Sequence, residues 1–324
     1  MASTTPAPTR LPLNTLGIGF GLSGLAGTWT AAGAALGAPA AAGETLWVAA
    51  AALWAGTLVR YGAGVSRLRD VAEDLRHPVL GPFAALAPAT GSLLAAHLSA
   101  FLPALGAALV WTMLAATTAF GAWFLASMLT VPRESATLHG GHLLPTVAAS
   151  LISAQSLAII GHREAATALF AAGILFWLLV GAVLLARFTT GPALPGPLMP
   201  TLAIFSAPPA VAGNAWWAIA GPQHGTVHDV LLGTLAALLL PHLFLVRRYA
   251  HLPFVPGFWA FTFTTAASAT YGVRLLTLTP SPLRTAIAWL VVALATGVIG
   301  GIAVRSLALV RLPRRHGVKR LRHA

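Results

Sequence analysis

Seven residues of the chain carry carboxylates, and their positions decide which chemistries are open to it. Glu44, Asp70, Glu73, Asp74, Glu134, Glu164 and Asp229 all fall in polar connections or at the ends of apolar stretches, never in the middle of one. Hydrolysis by general acid and base needs titratable groups facing each other across a bond, and no such pair remains. Proton-driven carriers and cation pathways usually place a carboxylate inside the membrane; a pathway without one does not repel anions. The histidines offer no metal site. His139-Gly140-Gly141-His142 holds two of them three residues apart without an acidic partner, and His97 and His242 lie singly near the ends of apolar stretches. Cysteine is absent, which removes thiolate ligands and a thiol nucleophile. No glycine-rich nucleotide loop follows a strand. The expectation is a protein that is not an enzyme and has neither metal nor cofactor.

Two other residues have the chemistry of a pore. Phe263 is a single bulky ring on a helical face otherwise made of Ala260, Ala266, Ala267 and Thr270. An isolated transmembrane phenylalanine is ordinarily packing, but on a small-residue face such a ring can close a narrow path sterically and by dewetting. Arg274 lies eleven residues further on, about three turns and roughly 16 Å along the same face. A cation there would concentrate anions at a mouth; an interfacial arginine reaching out to water would leave the same signature.

The elements that must position these residues are membrane spans. Apolar residues make up 57% of the 324 and charged residues 8%, whereas a soluble domain carries roughly a quarter charged. Apolar runs recur near the ~20 residues that cross a bilayer. Their Ala, Leu, Val and Gly content lacks the alternation of a β-barrel. Ten stretches are expected to span, at about 14–36, 44–63, 79–99, 103–129, 142–160, 165–187, 198–219, 227–246, 257–276 and 284–310. Residues 1–13 would form an N-terminal segment, 14–310 one membrane domain and 311–324 a basic tail. With both termini cytoplasmic, sixteen of the nineteen Lys and Arg residues fall inside, leaving Arg163, Arg274 and Arg284 outside. The net charge of +12 is thereby explained by topology and anionic lipid, and nucleic acid is not an expected partner.

Odd and even stretches differ. The odd ones carry helix breakers: Pro12 and four glycines in the first, Pro88 and Gly91 in the third, Pro145 in the fifth, Pro208 and Pro209 in the seventh, Pro256 and Gly257 at the ninth. Proline inside a helix frees a carbonyl and bends the axis, which a membrane tolerates where protein or water satisfies the backbone. The economical arrangement puts the odd helices inside around a pathway and the smooth even ones against lipid. On that reading the bends at Pro88, Pro145 and Pro208, with Ala266 and Thr270, line the path beside Phe263.

Leu86-Ala87-Pro88, Leu144-Pro145-Thr146-Val147-Ala148-Ala149, Ser153-Ala154-Gln155-Ser156-Leu157-Ala158, Phe170-Ala171-Ala172-Gly173 and Trp259-Ala260-Phe261-Thr262-Phe263 together resemble the tellurite-resistance/dicarboxylate transporter family, to which the plant slow-type anion channels belong. The resemblance spans nearly the whole chain. It implies ten helices as five hairpins in pseudo-fivefold arrangement, odd helices lining one pore per subunit, a homotrimer, and a pore plugged near mid-membrane by Phe263. The plant members carry long soluble tails that are phosphorylation targets; this chain is expected to lack them, and that regulation is not carried over.

These readings converge on a multi-pass protein of the plasma or inner membrane, an anion channel gated by Phe263, with Arg274 drawing anions to the outer mouth. Inorganic or small organic anions and the bilayer are its expected partners. The competing reading is a secondary carrier of C4-dicarboxylates, or an exporter of sulfite or tellurite, which would need a titratable group in the pathway.

Overall fold

A computed structural model of the chain describes residues 10–311. Of the expected basic tail, only Arg311 lies among the described residues. Every regular element among them is helical. The α-helices follow in the order α1 (Gly17–Leu36), α2 (Ala40–Ala63), α3 (Leu68–Arg76), α4 (Leu86–Leu98), α5 (Pro103–Thr130), α6 (Ala149–Ile159), α7 (Arg163–Thr190), α8 (Leu202–Phe205), α9 (Pro208–Ala220), α10 (Thr226–Ala250), α11 (Ala260–Leu276) and α12 (Pro282–Arg311).

Two kinds of segment alternate. Helices α2, α5, α7, α10 and α12 run 24 to 30 residues without interruption. Their outward side chains are apolar: Val59, Leu129, Leu178, Phe244 and Val304 are 64% to 87% exposed. A helix apolar on its exposed face needs lipid as solvent. The intervening segments are composite. A 3-10 turn precedes each of α1, α4 and α11, at Leu13–Leu16, Gly81–Ala85 and Pro256–Trp259. Helix α6 follows a 3-10 turn at Gly140–Leu143 and a π-turn at Leu144–Ala148 that contains Pro145. Helices α8 and α9 are separated where Pro208 and Pro209 open the second of them. Proline without its N–H fits the first turn of a helix and interrupts anything longer, so these breaks are written in the chain.

Six helical segments among the described residues are long and apolar enough to cross a membrane: the five continuous helices and 140–159. A seventh arises if α3 and 81–98, which meet at 112°, count as one bent span. Each of the ten apolar stretches read from the sequence falls on helix, with ends moved by a few residues. Fewer qualify as spans by themselves because their proline breaks and small polar residues shorten the apolar run. Burial separates the two kinds of segment: 72% of the 140–159 stretch is buried, against 11–28% of the continuous helices.

The composite segments pack in a closed ring, α1 on α4, α4 on α6, α6 on α9, α9 on α11 and α11 on α1. Each also packs on the continuous helix that follows it in the chain. Small residues allow the closest approach, between α1 and α11. A Cβ at Gly21 would collide with Thr262, and one at Gly24 would lie 2.9 Å from the Phe263 ring and from Ala266 Cβ. Thr28 Oγ1 donates to the Ala266 carbonyl across this seam at 3.0 Å and meets Thr270 Oγ1 at 3.0 Å.

Beside the ring, the amphipathic α3 anchors the start of the described chain. The Arg10 guanidinium reaches Asp70 at 3.4 Å and Asp74 at 3.3 Å. Desolvation works to raise the Asp70 carboxyl, but backbone N–H groups of Arg67 and Ser66 and the charge of Arg10 outweigh it and hold the group below the usual carboxylate range.

Candidate functional site

Two cavities lie within the ring. All five of its composite segments contribute to each. The first, about 40 Å³, sits among the 3-10 turns and is bordered by Asn14, Phe20, Phe83, Leu144, Ile204 and Trp259 among others. The second, about 250 Å³, lies towards the C-terminal ends of the ring helices. At roughly 30 Å³ per water the first admits about one molecule and the second several. Phe263 and Val211 line both cavities. The Phe263 ring stacks on Phe20, with centroids 3.7 Å apart and planes at 15°. Phe263, stacked on Phe20, and Val211 are thus the side chains the two cavities share.

Helical spacing explains why these side chains meet. On α11 the lining positions are Ala260, Phe263, Thr264, Ala267, Thr270 and Arg274, a three–four repeat that keeps one face. On α1 they are Gly17, Phe20, Ser23, Gly24, Gly27 and Thr30, and the missing side chain of Gly24 makes the space the Phe263 ring fills.

The two cavities differ in polarity. Around the first the polar side chains are Asn14 and Thr264, and Thr264 Oγ1 is engaged with the Ala203 carbonyl at 2.9 Å. Around the second stand Ser23, Thr30, His97, Gln155, Asn214, Thr270 and Arg274. Asn214 fixes the arginine: its Nδ2 donates to the Ala267 carbonyl at 2.9 Å, which turns its Oδ1 to accept from Arg274 Nη1 at 2.8 Å. The guanidinium also lies 5.7 Å from the Trp217 ring centroid. Among the described residues no carboxylate pairs with Arg274. Its positive charge therefore faces the second cavity uncompensated by a counter-ion of the protein. His97 stacks on Trp47 with centroids 4.4 Å apart, and its Nε2 meets Glu44 Oε2 at 3.0 Å.

A ring-enclosed path with a fixed cation on one side and an aromatic partition is suited to anions. Comparison with known proteins agrees: residues 10–307 match the SLAC1 family model, described as voltage-dependent anion channel. The chain belongs to that family. It is also 28% identical over 282 residues to the tellurite resistance protein TehA homolog of Haemophilus influenzae, an alignment covering 83% of this chain and 82% of that one. The chain is thus a multi-pass membrane protein of an anion-transporting family.

The residues singled out from the sequence fall in different places. Phe263, Thr270 and Arg274 share one face, the first between the cavities and the others on the second. Pro208 borders the first cavity. Ala266 does not line either cavity: it is fully buried among Leu25, Ala269, Ala295 and Ile299, because a step of three residues from Phe263 turns it towards α1 and α12. Pro145 borders a separate cavity between α5, α6 and α7, and its carbonyl packs against Gly121. Pro88 stands in the first turn of α4, away from both.

Sequence reasoning missed Phe20, Val211, Gln155 and Asn214, and set His97 aside as a residue near a span end. Phe20 carried a usable signal, since it is one large ring amid Gly17, Gly19, Gly21 and Gly24, the same contrast that marked Phe263. His139 is locally satisfied, its Nε2 meeting the Val79 carbonyl at 2.9 Å; His142 meets the His139 carbonyl through Nδ1 at 3.1 Å, and its Nε2 is buried without a partner among the described residues. No metal-holding group of three or more acidic, histidine or cysteine residues occurs among the described residues.

Proposed function

We propose that the chain is a channel for small anions, built from ten spans as five hairpins in pseudo-fivefold arrangement. The composite segments line its pore, and Phe263 is the gate. The observation that carries this reading is Phe263 lying between two cavities while stacked on Phe20. In this reading the 3-10 end of the ring is cytoplasmic, as are both termini. The second cavity faces outward in the plasma or inner membrane, and a homotrimer carries one pore per subunit.

Anions are drawn to the outer vestibule by Arg274, held by Asn214. They meet hydroxyl and amide donors there and no deep well, which suits throughput over tight binding. Conduction requires the Phe263 ring to leave Phe20 by a rotamer change, with a small relaxation at the Pro208 break. The physiological anion belongs to the class of halides, nitrate and small oxyanions. Tellurite, named for the Haemophilus relative, is one such oxyanion.

The carrier reading keeps one point of support, because His97 places a titratable group on the second cavity. Planar-bilayer recordings of wild type and Phe263→Ala under a potassium chloride gradient separate the two. A channel gives a current in the variant that reverses near the chloride potential and rises linearly with voltage. Saturable uptake that follows an imposed pH gradient, with no such current, would replace the channel by the carrier.

A further inference from the structure

Away from the pore, a pocket of about 700 Å³ opens where the end of α5 and the connection after it approach the end of α3. Arg76, Trp123, Ser127, Thr130, Arg133 and Glu134 line it. Its volume lies in the range of small-molecule sites. Neither Arg76 nor Arg133 has a carboxylate within 4.0 Å among the described residues. Two guanidiniums against the single Glu134 carboxylate leave one net positive charge, which matches one phosphodiester.

Arg133 is held in place for a ligand. Its Nη2 donates to Ser127 Oγ at 2.9 Å, and its guanidinium lies 5.1 Å from the centroid of the buried Phe124 ring. Its Nε is buried without an acceptor among the described residues, a donor left open to a ligand. The surroundings choose the source of the phosphate. Trp123 and Val131, both on the pocket's lining, are 36% and 55% exposed. They offer apolar contact next to the charged site, as an interfacial lipid requires. We propose that this pocket binds the phosphate headgroup of an anionic phospholipid, with Arg76 and Arg133 on the phosphate and the acyl chains along the end of α5.

Native mass spectrometry of the purified full-length protein tests this with phosphatidylglycerol and phosphatidylcholine of identical chains. The expected result is a phosphatidylglycerol preference that falls roughly tenfold in the Arg76→Gln/Arg133→Gln variant. The exposed-charge control Arg248→Gln should keep the wild-type preference. A wild type that does not discriminate the two lipids overturns the proposal, as does an equal loss in the Arg248 control. Displacement of the lipid by millimolar inorganic phosphate would also overturn it, because the site would then take free anions. Should the double variant lose its fold, Arg133→Lys serves instead. It keeps the charge but loses the planar fork, and is expected to retain part of the preference; wild-type preference in it, with Arg76→Gln also at wild-type level, overturns the assignment.

Discussion

Truncating Phe263 to alanine removes the ring that stands between the two cavities, and its consequence can be sized. The ring stacks on Phe20 at 3.7 Å, a contact worth about 0.5–1.5 kcal/mol beyond burial. Removing a core phenyl group altogether costs about 3–5 kcal/mol, and the half-buried setting of Phe263 points to the lower end. On the proposed gating these contacts belong to the closed arrangement alone, because an open ring must leave Phe20. About 3 kcal/mol taken from the closed state shifts the closed–open balance by roughly two orders of magnitude, at a factor of ten per 1.4 kcal/mol. Loss of the steric plug adds to this. In planar bilayers with symmetric chloride, Phe263→Ala is therefore expected to raise the macroscopic current about a hundredfold, with Phe263→Leu between it and wild type. Phe20→Ala is expected to give a smaller rise, since it leaves the Phe263 ring itself, which borders both cavities, in place. A folded Phe263→Ala protein with wild-type current would refute the reasoning, and so would a Phe20→Ala current larger than that of Phe263→Ala.

Other perturbations address the rest of the site. Arg274→Gln should lower anion current several-fold at about 0.01 M salt and much less at 1 M, because salt screens the vestibule field; equal losses at both would locate the effect in packing. Asn214→Leu removes the acceptor that fixes Arg274 and should reproduce part of that salt-dependent loss. Gly24→Ala places a Cβ 2.9 Å from the Phe263 ring and Ala266, so overpacking of about 1–3 kcal/mol should appear as a lower melting temperature in thermal unfolding. Asp70 is held below the ordinary carboxylate range in the folded protein. Its contribution to stability is thus present above its unfolded value of about 3.9 and is lost as pH falls through the lower folded value. The melting-temperature gap between wild type and Asp70→Asn should accordingly be open at neutral pH and close below about pH 4.

Much of this protein is determined by local chemistry and so was legible in the sequence. Apolar runs near bilayer length, with few charges, leave helix as the only way to satisfy the backbone in lipid, and helix is found along every one of them. The breaks at Pro145, Pro208 and Pro256 followed from the sequence, since a missing N–H acts at its own position, whereas the turn before α4 carries Pro82 and not the Pro88 read from the sequence, which stands in the first turn of α4. Period alone placed Phe263, Thr270 and Arg274 on one face of α11, because their spacing fixes their mutual angle whatever the neighbours are. What the spacing could not fix is which arc of that face meets empty space. Ala266, three residues from Phe263, turns into the α1–α12 seam because Gly21 and Gly24 let α1 approach so closely there. Pairings across the ring were beyond the sequence for the same reason. Phe20 and Phe263 are 243 positions apart, and Asn214 and Arg274 come from helices on either side of α10. Whether a proline's bend presents it to the cavities within the ring or turns it to another, as with Pro208 and Pro145, depends on the rotation of the whole segment in the ring. That rotation is set by packing against neighbours distant in the chain, and only the tertiary structure decides it.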